Sequence, residues 1–321
     1  MKEDDELTEI ITKAANQNGW FTPENIKFAL HAIAKSIKEE NIRSWLTLYP
    51  EKEKKSTTIF NIGLVLAGNI PAVGLHDVLC VLASGKHALI KLSSQDQVLI
   101  PFILKKLTQF EPIFFERFNT LDRLTNFNAV IATGSNNSAR YFDYYFGKYP
   151  HIIRKNRTSI AVLNGFESTE ELELLGNDLF LYFGLGCRNV SKIYVPEEYN
   201  FNTFFEAIEV WKTRLDMHKY MHNYDYQLSL HLINRVHHLT NGFVILSENT
   251  SMHSPISVIY IEYYKTKDLL IDLLITKQNE LQCLVTNEKT FPFAQAFGST
   301  QHPELTDYAD GIDTMKFLEN L

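Results

Sequence analysis

Three cysteines are the residues of this chain best suited to covalent chemistry, and their sequence surroundings differ. Cys187 stands in the segment Gly-Leu-Gly-Cys-Arg at 184–188, where two glycines permit a tight turn and an arginine adds positive charge. An accessible thiol beside a cation favours the nucleophilic thiolate. Cys80 and Cys283 lie among apolar residues, where a thiol is a small hydrophobic group. Cys187 is therefore the candidate nucleophile, with a structural role still open on this evidence alone.

Histidines offer a second kind of chemistry. His218 and His222 are four residues apart, a spacing that would place two imidazoles on one helical face and within reach of a metal ion. No glutamate follows in a zinc-protease pattern, so surface histidines are the favoured interpretation and we predict no metal site. His151 is a candidate proton donor to a leaving thiolate, although a packed or exposed imidazole is the favoured interpretation.

The elements that must position these residues alternate between strand and helix patterns. Thr22 and Pro23 mark a helix start, and β-branched apolar runs alternate with helical periodicity after it. We predict strands at 58–67, 87–92, 128–132, 159–163 and 191–195, and helices after 71, at 95–110, after 137 and at 169–181. This alternation predicts an α/β fold with mostly parallel sheets covered by helices.

Composition narrows the class of protein. The 321 residues are 45% hydrophobic, enough for a sizeable core, and the net charge of −7 argues against nucleic-acid binding. Apolar stretches break off well short of the roughly 20 residues of a membrane span, and the acidic N-terminus has no apolar signal segment. We therefore expect a cytoplasmic protein with reduced thiols and no membrane span. The basic clusters at 52–55 and 154–157 fit solvated faces better than phosphate sites.

Four motifs in order resemble the aldehyde dehydrogenase superfamily, and specifically its acyl-CoA reductase branch, the LuxC family. The resemblance runs from about residue 63 to the end of the chain. The four are the turn Asn69-Ile70-Pro71, Lys91 at the end of a strand, the turn Thr133-Gly134-Ser135, and Cys187 ahead of the strand Lys192-Ile193-Tyr194-Val195.

The resemblance implies an aldehyde-dehydrogenase-like fold, with two Rossmann-like parallel-sheet units and the active site between them. It assigns residues 1–157 to cofactor binding and 158–300 to catalysis, and leaves the packing of 301–321 open. It gives Cys187 the role of nucleophile and Asn69 that of donor to the substrate oxyanion. It assigns cofactor contacts to Lys91, Thr133, Gly134 and Ser135. The superfamily binds its cofactor without a G-x-G-x-x-G fingerprint, and no such fingerprint follows a strand here.

A departure from the family pattern sets the expected reaction. Aldehyde-oxidising members carry a glutamate that activates water, whereas the corresponding residues 153–157 contain no carboxylate. We therefore expect the acyl-enzyme to be reduced rather than hydrolysed, which makes the chain an acyl-CoA reductase. NADPH is the expected donor because Lys91 would accept a 2′-phosphate, and NADH stays possible. Arg154, Lys155 and Arg157 would contact the phosphates of CoA or, as favoured, face solvent.

Two alternatives remain at this point. One is a non-acylating aldehyde dehydrogenase that uses Glu167 or Glu170 as its base. The other is a non-catalytic, acyl-carrying subunit of a larger complex. A homo-oligomer or an acyl-supplying partner protein is compatible with any of these functions.

Overall fold

The computed structural model describes residues 5–49 and 60–321, and the chain forms two units. One unit runs up to Asn156 and also contains Pro303–Leu321, while the other is Arg157–His302. The basic cluster at 52–55 and the first two residues of the strand predicted at 58–67 lie outside the described residues.

The first unit is built on a five-stranded parallel sheet. Its elements up to Asn156 are α1 (Asp5–Gln17), α2 (Pro23–Ser36), α3 (Glu39–Thr47), β1 (Asn61–Val65), α4 (Leu75–Ala83), β2 (His87–Lys91), α5 (Leu99–Phe110), β3 (Phe118–Thr120), β4 (Ala129–Thr133), α6 (Asn136–Phe146) and β5 (His151–Arg154). The strand order is β3-β2-β1-β4-β5, so the chain leaves the central strand β1 first on one side and later on the other. This is the strand order of a Rossmann-type sheet.

The second unit contains a seven-stranded sheet. Its elements are β6 (Thr158–Val162), α7 (Thr169–Phe180), β7 (Val190–Pro196), α8 (Phe201–Ile208), α9 (His218–Ile233), β8 (His238–Thr240), β9 (Ile245–Glu248), β10 (Val258–Tyr264), α10 (Lys267–Thr276), β11 (Leu281–Val285) and β12 (Ala294–Gln295). The strand order is β12-β11-β6-β7-β10-β9-β8, and only the pairing of β8 with β9 is antiparallel. The predicted α/β class with mostly parallel sheets is confirmed.

Local sequence signals explain most element boundaries. The Thr22 hydroxyl accepts the Asn25 N–H at 3.2 Å, which confirms the predicted start of α2. The helix predicted at 95–110 instead begins at Leu99. The buried Asp96 carboxylate, two residues before the N-cap Val98, accepts the N–H of Leu99 at 3.2 Å, so residues 95–98 form a turn that precedes the helix.

The C-terminal segment packs on the first unit. Helix α11 (Thr314–Glu319) buries Met315 and Leu318 in the same apolar core as Ile62 and Ile131. The Leu305 carbonyl also lies 2.9 Å from His76 Nε2. Residues 303–321 are therefore part of the core of this unit.

Within residues 5–49 and 60–321, no helix is both long enough and apolar enough to cross a bilayer.

Candidate active-site residues

Three of the predicted motifs meet at one edge of the first sheet. Lys91 ends β2, the Asn69 turn follows β1, and Thr133 ends β4. These strands are neighbours in the order β2-β1-β4, and Val65 is in register with both Lys91 and Ala132. All three motifs therefore lie at the carboxyl ends of adjacent parallel strands. The chain reverses its direction of winding between β1 and β4, and ligands of open α/β sheets bind outside such a switch point.

The Asn69 turn is held by close packing and by a buried carboxylate. A Cβ atom on Gly68 would lie 2.6 Å from Ser93 Oγ, so only glycine allows this approach. Ala72 has a positive φ of 54°, and its N–H donates to Asp96 at 2.8 Å. Burial raises the pKa of Asp96, although hydrogen bonds from backbone N–H groups lower it. Asp96 thus braces the turn and α5 together, a role that its polar surroundings at 93–97 conceal in the sequence.

The Thr133-Gly134-Ser135 turn leads directly into α6. The Ser135 hydroxyl accepts the Ser138 N–H at 3.2 Å, and a Cβ atom on Gly134 would lie 2.8 Å from the Phe142 ring. The turn therefore requires glycine at its centre and a capping serine after it. The first turn of α6 presents backbone N–H groups at the sheet edge, an arrangement that suits an anion such as a phosphate.

Lys91 is exposed, and its Nζ donates to the Asp122 carbonyl at 2.8 Å. A charged ammonium thus stands at the end of β2. In Rossmann-type sheets this region meets the adenosine ribose of a dinucleotide.

Arg154 corrects an expectation from the sequence. Only 3% of it is exposed, and its guanidinium forms an ion pair with Asp77 and donates to Thr314 Oγ1 at 2.8 Å. It therefore neither faces solvent nor is available to the phosphates of CoA. Its neighbour Lys155 is exposed, and Arg157 donates to the Leu281 carbonyl at 3.1 Å.

Cys187 is exposed in the second unit, whereas Cys80 and Cys283 are buried, as the sequence predicts. It lies on the turn before β7 and hence at the amino edge of the second sheet. The side chain of the adjacent Arg188 turns to the other cysteine of this unit: its Nη1 donates to the Cys283 sulfur at 3.5 Å. Only Cys187, among the three thiols, is accessible to a substrate.

A left-handed segment precedes the Cys187 turn. Tyr182, Phe183 and Gly184 have φ values of 51°, 59° and 76°. The sequence predicts a tight turn at Gly184, but the two aromatic residues before it are unexpected, because each non-glycine residue costs roughly 1–2 kcal/mol in this region. Packing holds them there: both are buried, and the Arg214 guanidinium lies 5.0 Å from the Phe183 ring centroid. Such strain is typical of functional segments.

The side chain of Asn189 fixes the Cys187 turn through three hydrogen bonds to backbone groups. Its Nδ2 donates to the carbonyls of Asp178 at 3.0 Å and Leu181 at 2.9 Å, and its Oδ1 accepts the Gly186 N–H at 2.8 Å. A second buried side chain holds the carbonyl of Cys187 itself: Ser159 Oγ donates to it at 2.9 Å. The backbone on both sides of the thiol is therefore held by buried side chains.

We expect Asn189→Asp to disturb this turn as much as Asn189→Ala does. Aspartate keeps the acceptor for Gly186 but places a carboxylate oxygen against the carbonyls of Asp178 and Leu181, while alanine leaves them without a donor. Each loss should cost about 1–3 kcal/mol of unfolding free energy. Urea unfolding checks this expectation, and the alkylation rate of Cys187 reports the turn itself. Equal stability of Asn189→Asp and the parent would contradict it.

Glu167 and Glu170 are the candidate bases of the alternative non-acylating dehydrogenase, and both follow the carboxyl edge of the second sheet. Glu167 and Glu170 follow the carboxyl end of β6, whereas Ser159 at its amino end contacts Cys187. Leu163, directly after the strand, is four residue steps from Ser159, a span of about 13 Å. Glu167 also accepts the N–H of Asn164 at 2.5 Å and of Gly165 at 3.2 Å. Both glutamates therefore follow the edge of the second sheet opposite the one near which Cys187 lies.

The histidines predicted to lie on the surface do not form a three-ligand site. The rings of His218 and His222 stack with centroids 6.4 Å apart. Within the described ranges, no group of three or more His, Cys, Asp or Glu residues could hold a metal ion. His151 is exposed at the start of β5, and its Nδ1 donates to the Tyr149 carbonyl at 2.8 Å.

Several solved structures with a similar fold are aldehyde dehydrogenases. Aldehyde dehydrogenase 21 from Physcomitrella patens, in complex with its reaction product succinate, aligns with a TM-score of 0.66 and 13% identity over 98% of this chain and 80% of its own. Aldehyde dehydrogenase C from Pseudomonas syringae, a cysteine-to-alanine mutant complexed with NAD+ and octanal, aligns with a TM-score of 0.63 and 11% identity over 88% and 69%. At these identities the likeness establishes an aldehyde dehydrogenase fold.

The chain is shorter than some of these structures. It aligns over 72% of its length with a protein from Burkholderia cenocepacia described as a candidate aldehyde dehydrogenase, at a TM-score of 0.57 and 12% identity, and spans 59% of that chain. No family model matches the sequence, and no curated protein matches it.

Proposed function

We propose that this chain reduces an acyl thioester of the acyl-CoA class to an aldehyde, using NADPH and a covalent thioester on Cys187. The observation that carries the proposal is the exposed Cys187 thiol on a turn whose backbone is clamped by Asn189 and Ser159. A nucleophile held in one place is what covalent acyl transfer requires. The aldehyde dehydrogenase fold is consistent with such chemistry.

The residues at the switch point of the first sheet fit a nicotinamide dinucleotide. The amino end of α6 after Ser135 offers backbone donors for a pyrophosphate, and the close packing of Gly134 against Ser138 and Phe142 fixes the turn that leads into this helix. Lys91 offers an ammonium at the end of β2, where NAD-specific sites carry an acidic residue. This basic residue favours a 2′-phosphate, and hence NADPH over NADH. A bound reduced nicotinamide would supply the hydride.

The chain's own residues account for the remaining steps. The Cys187 thiolate attacks the acyl carbonyl, the bond from that carbon to the CoA sulfur breaks, and CoA leaves as a thiolate that takes up a proton. We assign stabilisation of the oxyanion to the Asn69 amide and the Cys187 backbone N–H, each of which is worth about 2.7–4 kcal/mol in comparable sites. After reduction, the bond between the Cys187 sulfur and the acyl carbon breaks, which releases the aldehyde and restores the thiolate.

The absence of a carboxylate in residues 153–157 supports reduction over hydrolysis. Without a base to activate water, the acyl-enzyme persists until it is reduced or transferred back to a thiol. A non-acylating dehydrogenase would need a base elsewhere, and both Glu167 and Glu170 lie at the far edge of the second sheet. The remaining alternative is an acyl-carrying subunit that forms the thioester without binding a nicotinamide.

Product analysis tests the proposal. Incubation with a long-chain acyl-CoA and NADPH should yield aldehyde and free CoA in equal amounts, with one NADPH oxidised per aldehyde. Free fatty acid as the main product would instead favour a hydrolysing enzyme. Acylation of Cys187 without NADPH oxidation, together with no nicotinamide binding by calorimetry, would favour the carrier.

A further inference from the structure

Two imidazole rings lie in contact where α9 ends and β8 begins. His231 is in the last turn of α9, and His238 is the first residue of β8. Their ring centroids are 5.2 Å apart with an interplanar angle of 64°, and both side chains are half-buried. Neither residue belongs to the proposed reductase chemistry.

Backbone hydrogen bonds and sheet pairing fix the turn between the two histidines. The Val236 N–H donates to the His231 carbonyl at 2.9 Å, and Arg235 adopts a left-handed φ of 54°. This six-to-one bond around a left-handed residue is the Schellman ending of a helix. His238 is in turn fixed in the sheet by its register with Ser247 of β9. The backbone therefore holds the two side chains together without a ligand.

Hydrogen bonds fix the same tautomer in both rings. His231 Nδ1 lies 2.7 Å from the Gln227 carbonyl, and His238 Nδ1 lies 2.8 Å from the Val236 carbonyl. A carbonyl oxygen only accepts, so each Nδ1 carries the hydrogen and each neutral ring keeps its lone pair on Nε2. Metal-binding histidines characteristically donate their other ring N–H to a carbonyl in this way.

The spacing of the rings is compatible with a shared ion, as it is with an ordinary edge-to-face ring contact. Zinc lies about 2.0–2.1 Å from a histidine nitrogen, which puts each ring centroid about 3.2 Å from the metal and two tetrahedrally placed centroids about 5.2 Å apart. The observed separation is 5.2 Å. We propose that His231 and His238 bind a divalent transition metal ion, such as Zn²⁺, through their Nε2 atoms, with water in the remaining positions.

Calorimetric titration with Zn²⁺ alone tests the proposal. All proteins are made in a Cys187→Ala background, so that the exposed thiol cannot bind the metal. The background protein should bind one Zn²⁺ per chain, and His231→Gln with His238→Gln should weaken binding by at least about tenfold. The matched control is His218→Gln with His222→Gln, which removes the other close histidine pair and should leave the affinity unchanged.

Loss of binding in the control but not in the His231 and His238 variant would overturn the site, as would no Zn²⁺ binding in the background protein. Should the variant fail to fold, nitrogen NMR of the imidazoles in the background protein decides. Zn²⁺ should shift two Nε2 resonances whose rings keep a protonated Nδ1, and the absence of such shifts counts against the proposal. Because the reductase assay does not involve this site, either hypothesis can fail alone.

Discussion

Replacing Cys187 with alanine should lower aldehyde formation from acyl-CoA and NADPH by about 10⁴-fold or more, because loss of a nucleophile removes the covalent route altogether. The substitution removes an exposed thiol from a turn held by other side chains, so the free energy of unfolding should change by no more than about 0.5 kcal/mol. Coupled measurements of NADPH oxidation and aldehyde release give the rate. Intact mass spectrometry after incubation with acyl-CoA should show the added acyl mass only in the parent chain.

Cys80→Ala is the matched control for this experiment. Cys80 is a buried thiol of the first unit, and burial raises its pKa well above the ordinary value, which disfavours the thiolate. This variant should keep acyl capture and aldehyde formation while losing some stability through the small cavity it creates. An acylated Cys187→Ala protein would remove Cys187 from the mechanism, whatever its activity.

Much of the fold follows from local signals in the sequence. The hydroxyls of Thr22 and Ser135 cap α2 and α6, and short apolar runs between turn residues correctly predict strands such as β2 and β4. These features depend on residues a few positions apart, which is the range over which capping and periodicity act. The exposure of Cys187 is predictable for the same reason, because Gly184 and Gly186 stand shortly before it.

The residues that brace the candidate site were not predictable in this way. Asp96 reaches the Ala72 N–H across 24 positions, and Arg154 reaches Thr314 across 160. In a single sequence such residues resemble ordinary surface charges. Arg154 in particular stands beside Lys155 and Arg157 in what reads as a solvated basic cluster. The left-handed Tyr182 and Phe183 were missed because burial, not local preference, stabilises their backbone.

Replacing Arg154 with methionine should cost the first unit about 3–5 kcal/mol of unfolding free energy, because the Asp77 carboxylate would remain buried without its partner. Burial lowers the pKa of Arg154, but the adjacent Asp77 more than compensates, so the net pKa lies above the ordinary value. The guanidinium therefore stays charged. Urea unfolding followed by tryptophan fluorescence in a Trp211→Phe background reports the first unit, where Trp20 and Trp45 lie.

Two further variants show whether the lost energy comes from the ion pair. Lys155→Met removes a neighbouring exposed charge and should stay within about 0.5 kcal/mol of the parent. Adding Asp77→Leu to Arg154→Met should recover most of the loss, since no buried charge is then left unpaired. A loss below about 1 kcal/mol for Arg154→Met alone would mean that water or another cation reaches Asp77.

The ion pair between Arg154 and Asp77 should also affect cofactor binding in the proposed reaction. The Arg154 carbonyl accepts the Gly134 N–H at 3.4 Å, and Asp77 lies in the first turn of α4, the helix that follows the Asn69 turn. One buried ion pair thus connects the two turns at the switch point of the first sheet. We therefore expect Arg154→Lys, which keeps the charge but loses the planar fork shared with Asp77 and Thr314, to weaken NADPH binding while leaving acylation of Cys187 intact. Unchanged NADPH affinity would show that the turns keep their positions without this connection.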